Sequence, residues 1–462
     1  MSKKGKPASR KCVGRFRDNL KKARKRLEKG PLAFSKALSE QMVETALEES
    51  KMRFRKRKLT PKITLLAFLW QMLSKYATCE QTMTEVIHKQ FRKNEESSVP
   101  SSGRYCEARG RLSLGFLKTL FRVQYDTATE DIPSKWKWLG RHDVKVVDGT
   151  TFLMADSQAN RASFSPPDEP SPGTRYPMLR LVGIFSLATG MIRDFAYGPY
   201  QGKGTGESSL FRRLLHCLNP GDVVLGDKYY CSYRDAHAIR TCGGDIVVKH
   251  FSKRTMLQLV RKIGNNDAVY RWIRPRHAHK KMSREEFACL PNEILVRIVK
   301  VRVNVPGFRV KQFEVLTTLV DENTYSAQAL SDLFFQRWRV ETYLDEIKNG
   351  LNIQMLRCKT PEMLAKELTV AFLAYNTVRT QMAQVAECFG TPLNEISFTH
   401  TLHTMMTFAE ESSPEGIALK LATIVHTRVG CRPGRSEPRA VKRGPSTHAR
   451  LKQGRKEFTA TS

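Results

Sequence analysis

Residues 326–350 read SAQALSDLFFQRWRVETYLDEIKNG, which the apolar spacing predicts to be one long amphipathic helix with polar residues down one side. From Phe334 the steps to Arg337, Glu341, Asp345 and Lys348 are three, four, four and three residues, the spacing that keeps side chains on one helical face. Two cations bracketing two carboxylates admit two readings: a solvated face laced with ion pairs one turn apart, or part of a site. The rest of the chain decides between them.

The chain has 462 residues and a formal net charge of +33, with 78 Lys and Arg against 45 Asp and Glu. That length allows more than one domain with a real hydrophobic core, and that charge points first to a polyanionic partner. The longest apolar run, Ile63 to Trp70, is too short to span a bilayer, and no signal-peptide pattern follows the basic N-terminus. The expectation is a soluble cytoplasmic protein with no membrane partner, associated with the nucleoid when bound to DNA. Ten cysteines are scattered singly from Cys12 to Cys431 without a C-x-x-C pair or a Cys/His cluster at zinc-ligand spacing, which suits reduced thiols and argues against a structural zinc.

Residues 1–30 form a basic arm, mobile or part-helical, suited to phosphates. Residues 31–140 have helical spacing, with Thr60 and Pro61 as cap and first-turn residue of ITLLAFLWQMLSKYA, and read as a helical DNA-binding domain. At Arg141 the period becomes strand-like. The run Val144 to Val147 ends at Asp148, with Gly149 read as a turn; LRLVGIFSLATG and MIRDFAYG read as a hairpin turned at Thr189 and Gly190; GDVVLG ends at Asp227; DIVVKH follows a helix. Three strands, helix, strand, helix, strand make an α/β sheet with an antiparallel edge. Residues 141–250 and 325–400 form this core, residues 251–324 a β-rich inserted subdomain, and residues 401–462 a C-terminal segment with a basic tail. Gly350 reads as a left-handed break, after which Thr360 and Pro361 cap a second long helix.

Asp148 and Asp227 each stand where a strand delivers a side chain to the rim of a sheet, the edge at which ligands gather in open α/β folds. Either alone also reads as an ordinary turn residue. With Glu341 they become three carboxylates from two strands and a helix, a donor set suited to a pair of hard divalent cations that cleave a phosphodiester. GPYQGKGTGES lacks the spacing and the Ser or Thr of a nucleotide phosphate loop, so nucleotide hydrolysis is disfavoured. His277 and His279 lack a third ligand and read as solvated or DNA-facing.

These residues resemble the DDE transposases of bacterial insertion sequences that carry the YREK signature: Phe334, Arg337, Glu341 and Lys348 stand at the signature's spacing, with Phe334 where tyrosine is usual. VVDGTTF with Asp156 and Asn160 is similar to the family's first-aspartate segment, LGDKYYCSY to its second, and LRLVGIFSLATG, GPYQGKGTGES and KTPEMLAKELTVAFLAYNTVR also look like family sequence. The resemblance covers roughly residues 35–445. It implies a ribonuclease H-like catalytic core interrupted by a β-rich insertion and preceded by an α-helical N-terminal domain. It implies that Asp148, Asp227 and Glu341 bind two magnesium ions, or manganese in their place, and that Arg337 and Lys348 contact phosphates of the element's ends. The activity implied is hydrolysis at those ends followed by transfer of the 3′ hydroxyls to target DNA. The partners implied are double-stranded DNA, as inverted repeats and target, and a second copy of the chain in an active homodimer. Some relatives flip a base onto an insertion-domain aromatic, for which Trp272 is the candidate beside its reading as a packed tryptophan. The alternative from another class is a catalytically inactive, transposase-derived DNA-binding protein, which the Phe334 departure keeps open; a junction resolvase with the same core would not need so long an insertion.

Overall fold

The computed structural model describes residues 10–29, 32, 38–55, 58–74, 77–91, 101–166, 175–278, 282–302, 312–409, 411 and 413–429. The basic tail and His279 lie outside the described residues. The fold is α/β, built on one mixed sheet with helices packed against it. Its strands are β1 (Val144–Met154), β2 (Met178–Ser186), β3 (Ile192–Pro199), β4 (Val223–Gly226), β5 (Asp245–Lys249), β6 (Leu257–Gly264), β7 (Asp267–Ile273), β8 (Glu293–Arg302), β9 (Gln312–Thr317) and the short β10 (Met355–Leu356). The order is β3-β2-β1-β4-β5-β9-β8-β7-β6, with β10 on the flank of β1. β1, β4 and β5 are mutually parallel; β2 and β3 run antiparallel at one side.

The parallel strands are apolar runs because both faces are covered: Val144 to Val147 and Val223 to Gly226 are all buried. Gly149 makes no turn there. β1 continues five residues past it to Met154, with Gly149 paired to Val182, because the long antiparallel partner β2 holds the strand extended beyond the aspartate. The β-rich stretch is likewise no separate subdomain: β9 pairs with β5, setting Val248 opposite Leu316, so the insertion extends the core sheet.

The helix Pro361–Phe389 is the central post of the molecule. Thr360 caps it by accepting from the Met363 N–H, and Gly390 ends it in the left-handed region at φ 63°. Leu65, Phe68, Phe116 and Leu120 of the N-terminal helices share one buried cluster with Leu368 and Phe372 of this post and with Val146 and Leu225 of the sheet. Gln124 donates to the Leu373 carbonyl at 3.2 Å. The helical N-terminal part therefore completes the core's own packing. Of the basic arm, Arg10–Leu27 is helical and docks on the post, with Lys22 Nζ donating to Phe389 O at 3.0 Å and Arg26 pairing with Glu387 at 2.7 Å.

Residues 326–350 are not one regular helix. Ala327–Gln336, capped by Ser326, is followed by Arg339–Asp345 and a single π turn, Glu346–Gly350. At the joint Arg337 N donates to Phe334 O and Val340 N to Arg337 O, both at 3.1 Å. These i→i−3 bonds wind the chain more tightly and rotate the second helix about its axis relative to the first, so one 3.6-residue stripe does not run through. Phe334 consequently faces inward, 4% exposed, its ring centroid 5.0 Å from that of Phe313. Gly350 is not the left-handed residue; Asn352 is, at φ 57°. Glycine stands at 350 because a Cβ there would lie 2.8 Å from the Phe398 ring.

Candidate active site

The register of β1 and β4 sets Val144 opposite Val223 and Val146 opposite Leu225. Continued by two residues, it brings Asp148 level with Asp227, just beyond the end of β4, on the face of Val144, Val146, Val223 and Leu225. Each aspartate is oriented by its own backbone. Asp148 Oδ1 accepts from Gly149 N at 2.8 Å, and Asp227 Oδ1 accepts from Tyr229 N at 2.7 Å, capping the 3-10 turn Lys228–Tyr230. One oxygen of each is thereby engaged while the second stays available to a ligand.

A carboxylate that the sequence reading did not single out stands on the opposite face of β1, on the side of Val182, Leu210 and Phe211. Glu207 opens the short helix Glu207–Arg212 and lies over Gly149, where a Cβ would come 2.7 Å from Glu207 Cδ. Burial pushes the Asp148 carboxyl up to about 6, against the Gly149 N–H and the Arg337 guanidinium, and the charges of Asp227 and Glu207 add to the rise. Glu207 is raised by burial and then by Asp227, with Arg180 opposing. Tyr230, 1% exposed and in the same buried cluster as Leu210 and Phe211, has a hydroxyl without a hydrogen-bond partner among the described residues. The sequence signal for Glu207 was the family-like GTGES segment; its glycines drew attention as a loop while the acid passed for a helix-start residue.

The helical segments after Ser326 lie on the Asp148 face, since Leu333, Val340 and Leu344 belong to the same buried cluster as Val146 and Leu225. Arg337 is in electrostatic reach of Asp148, and its Nε is buried without a hydrogen-bond partner among the described residues. Farther along, Lys348 Nζ stands 5.3 Å from the centroid of the Phe152 ring on β1. Glu341 lies between these cations and is exposed. The three expected carboxylates do not close on one another: among the described residues the trio of ligand-type atoms found within 4.8 Å is Asp194, His216 and Cys217. That trio is closed by its own contacts, His216 Nε2 to Asp194 at 3.2 Å and Cys217 Sγ to both at 3.4 Å. Asp345 turns to Asn349, while Glu346 faces inward to Arg379.

Trp272 requires a correction. It is 0% exposed, packed edge-on against Tyr233 with centroids 5.4 Å apart, and presents no ring face to a nucleic acid. From β7 it points into the second buried cluster, with Tyr233, Leu290 and Val296. What the insertion does offer is the wall of a cleft of about 870 Å³ running from Glu207 past Arg212, Arg234 and Lys253 to His277, with Tyr229 on its lining.

The oxygen-only pair of Asp148 and Asp227, level with each other and each with one carboxylate oxygen unengaged, fits a hard divalent cation by donor chemistry. Residues 139–377, more than half of the chain, match the transposase DDE domain family. The chain is also similar to the transposase InsG for insertion sequence element IS4 of Escherichia coli strain K12, 26% identical over 267 residues, which is 56% of this chain and 57% of that protein. The match therefore spans less than two thirds of that relative's length. A cryo-EM structure of the piggyBac transposase synaptic complex with hairpin DNA overlaps 86% of this chain and 79% of its own at a TM-score of 0.39 and 8% identity. With the family match covering both aspartates and the helical segments that carry Arg337, Glu341 and Lys348, the chain belongs to the transposase DDE domain family.

Proposed function

We propose that the protein is a DNA transposase that cuts the ends of a mobile element and joins the freed 3′ hydroxyls to target DNA. The observation that carries this reading is the β1–β4 register, which sets Asp148 level with Asp227 on the face where the Arg337–Lys348 segment packs.

In this reading Asp148, Asp227 and Glu341 hold two divalent cations, magnesium or manganese. Such ions supply an activated water or sugar hydroxyl and stabilisation of the leaving oxygen. Mutual repulsion keeps the carboxylates apart in the unliganded protein. Arg337, its Nε unpartnered, offers planar donors to a phosphate of the element's end, and Lys348 a point charge farther along the strand. The net charge of +33 and the basic cleft beside Glu207 favour a DNA partner. Two ends require two active sites, so the active complex is a homodimer acting on double-stranded DNA. No described helix is long and apolar enough to cross a membrane, and the working location is the cytoplasm, on the nucleoid.

The inactive, DNA-binding reading rests on Phe334 in place of tyrosine. Its burial against Phe313 makes it a packing residue here, which weakens that objection to catalysis. The test is incubation of the full chain with duplexes carrying the sequences that flank its gene, with magnesium. Cleavage exposing 3′ hydroxyls is expected, lost in Asp148→Asn, Asp227→Asn and Glu341→Gln while gel-shift binding persists. Binding by the unaltered protein with no cleavage would favour the inactive reading.

A further inference from the structure

We propose that Asp194, His216 and Cys217 form a second metal site, which holds a zinc ion through oxygen, nitrogen and sulfur. It stands on residues that the transposase reading does not use.

The fold builds this site from two pieces of chain. Asp194 lies in the edge strand β3, paired with Ile184 of β2, and shares the face of Ala196, in the second buried cluster. Asp148 is on the other face of the sheet, with Val144 and Val146. Leu210, Phe211 and Leu214 of the second cluster lead the chain to the 3-10 turn Leu215–Cys217, whose His216 and Cys217 side chains meet Asp194. Asp194 is 22 residues before His216, so no ligand spacing marks the group in the sequence.

The distances suit a metal. His216 Nε2 is 3.2 Å from Asp194 Oδ2, and Cys217 Sγ is 3.4 Å from each. Zinc bonds of about 2.0 Å to oxygen and nitrogen and about 2.3 Å to sulfur, at tetrahedral angles, set such atoms about 3.3–3.6 Å apart. The trio thus spans one face of a tetrahedron, and the exposed side of His216 leaves the fourth corner to water.

The protons point the same way. His216 Nδ1 is 3.0 Å from the Arg213 carbonyl, which can only accept, so in the neutral ring Nδ1 carries the proton and Nε2 presents its lone pair. Asp194 Oδ1 accepts from Phe195 N at 2.7 Å, leaving Oδ2 for a ligand. The one remaining proton, on the Cys217 thiol, serves the contacts of Cys217 and leaves Nε2 facing Oδ2 with none between them. A cation supplies what is missing, and outer bonds such as those to Arg213 and Phe195 are the kind that orient metal ligands. Burial, then the Asp194 charge, pushes the thiol up, so metal-free Cys217 is protonated; coordination releases that proton to solvent and leaves a thiolate. The neighbouring cation Arg193 is taken up by Asp126 at 2.6 Å. Thiolate and imidazole favour zinc over the oxygen-preferring magnesium and manganese.

The test is titration of the reduced full chain with cobalt(II), a spectroscopic stand-in for zinc, followed by competition with zinc. The unaltered protein is expected to develop thiolate-to-cobalt charge-transfer absorption that zinc removes. Cys217→Ser is expected to lose that absorption. His216→Ala, at an exposed side chain whose loss leaves the core intact, is expected to weaken zinc binding at least about tenfold. Asp148→Asn is expected to keep the absorption in full. If the unaltered protein shows none, the trio is a hydrogen-bonded cluster only and the proposal is overturned. Absorption that persists in Cys217→Ser, or zinc affinity unchanged in His216→Ala, would place the metal elsewhere and overturn it equally.

Discussion

Two acidic places in the molecule, Glu346 in the π turn and Asp148 with Asp227 at the β1–β4 edge, are built in opposite ways. Glu346 is closed in. Arg379 Nη1 lies 3.1 Å from its carboxylate and Tyr375 Oη donates to it at 3.3 Å, while Arg379 Nε donates to Thr189 O at 2.9 Å and Tyr375 Oη to Gly190 O at 2.8 Å. The network ties the π turn to the β2–β3 hairpin, whose Gly190 leaves no room for a Cβ beneath Arg379. Asp148 and Asp227 have the reverse arrangement: two acids level with each other with no ion pair among the described residues, and a buried Arg337 Nε left unpartnered within electrostatic reach of Asp148. Burial raises the acid in both places, but only at Glu346 does the cation close to an ion pair; Arg337 acts on Asp148 at longer range. A satisfied cluster stabilises structure; an unsatisfied one stores repulsion that a ligand relieves.

The contrast can be broken from either side. The largest effect belongs to the closed cluster: Arg379→Ala strands a buried Glu346 charge and is expected to destabilise by about 3–5 kcal/mol, read as a lower urea midpoint. If stability is unchanged, Glu346 is not held by that pair.

Asp148 should show the opposite sign in metal-free protein. Its folded pKa of about 6 lies above its ordinary value of 3.8, so the protonated form favours the fold. Stability is then full below about pH 4, falls as pH rises through about 6, and stays lower above it, by roughly 2–3 kcal/mol. Asp148→Asn should flatten that profile, and manganese should restore stability to the unaltered protein near neutral pH. The smallest is Lys348→Ala, which should weaken DNA binding uniformly across sequences and reduce the salt slope by about one, measured by titration at several ionic strengths.

Much of the fold and part of the site were legible in the sequence. Val144 to Val147 and Val223 to Leu225 are β-branched or apolar runs that declare buried strands, and each leads to its aspartate; Thr360 with Pro361 announces the post helix. The readings that failed did so because the deciding partner is distant along the chain. Gly149 looked like a turn until β2 paired with it, and Gly350 like a left-handed break until Phe398 filled the space beside it. The joint at Arg337 has no Gly or Pro to mark it, since it is a local tightening of hydrogen bonds. Of the two readings of Trp272, a partner for a flipped base or a packed tryptophan, the packing against Tyr233 in the second core matches the latter. Glu207 was hidden because an acid in the first turn of a helix is common for reasons of the helix dipole alone.

The most direct measurement is the anomalous scattering of manganese in crystals of the full chain bound to its terminal DNA. The account predicts a peak between Asp148 and Asp227, with Glu341 drawn toward the scissile phosphate. A peak at Asp194, His216 and Cys217 with none at Asp148 would contradict it.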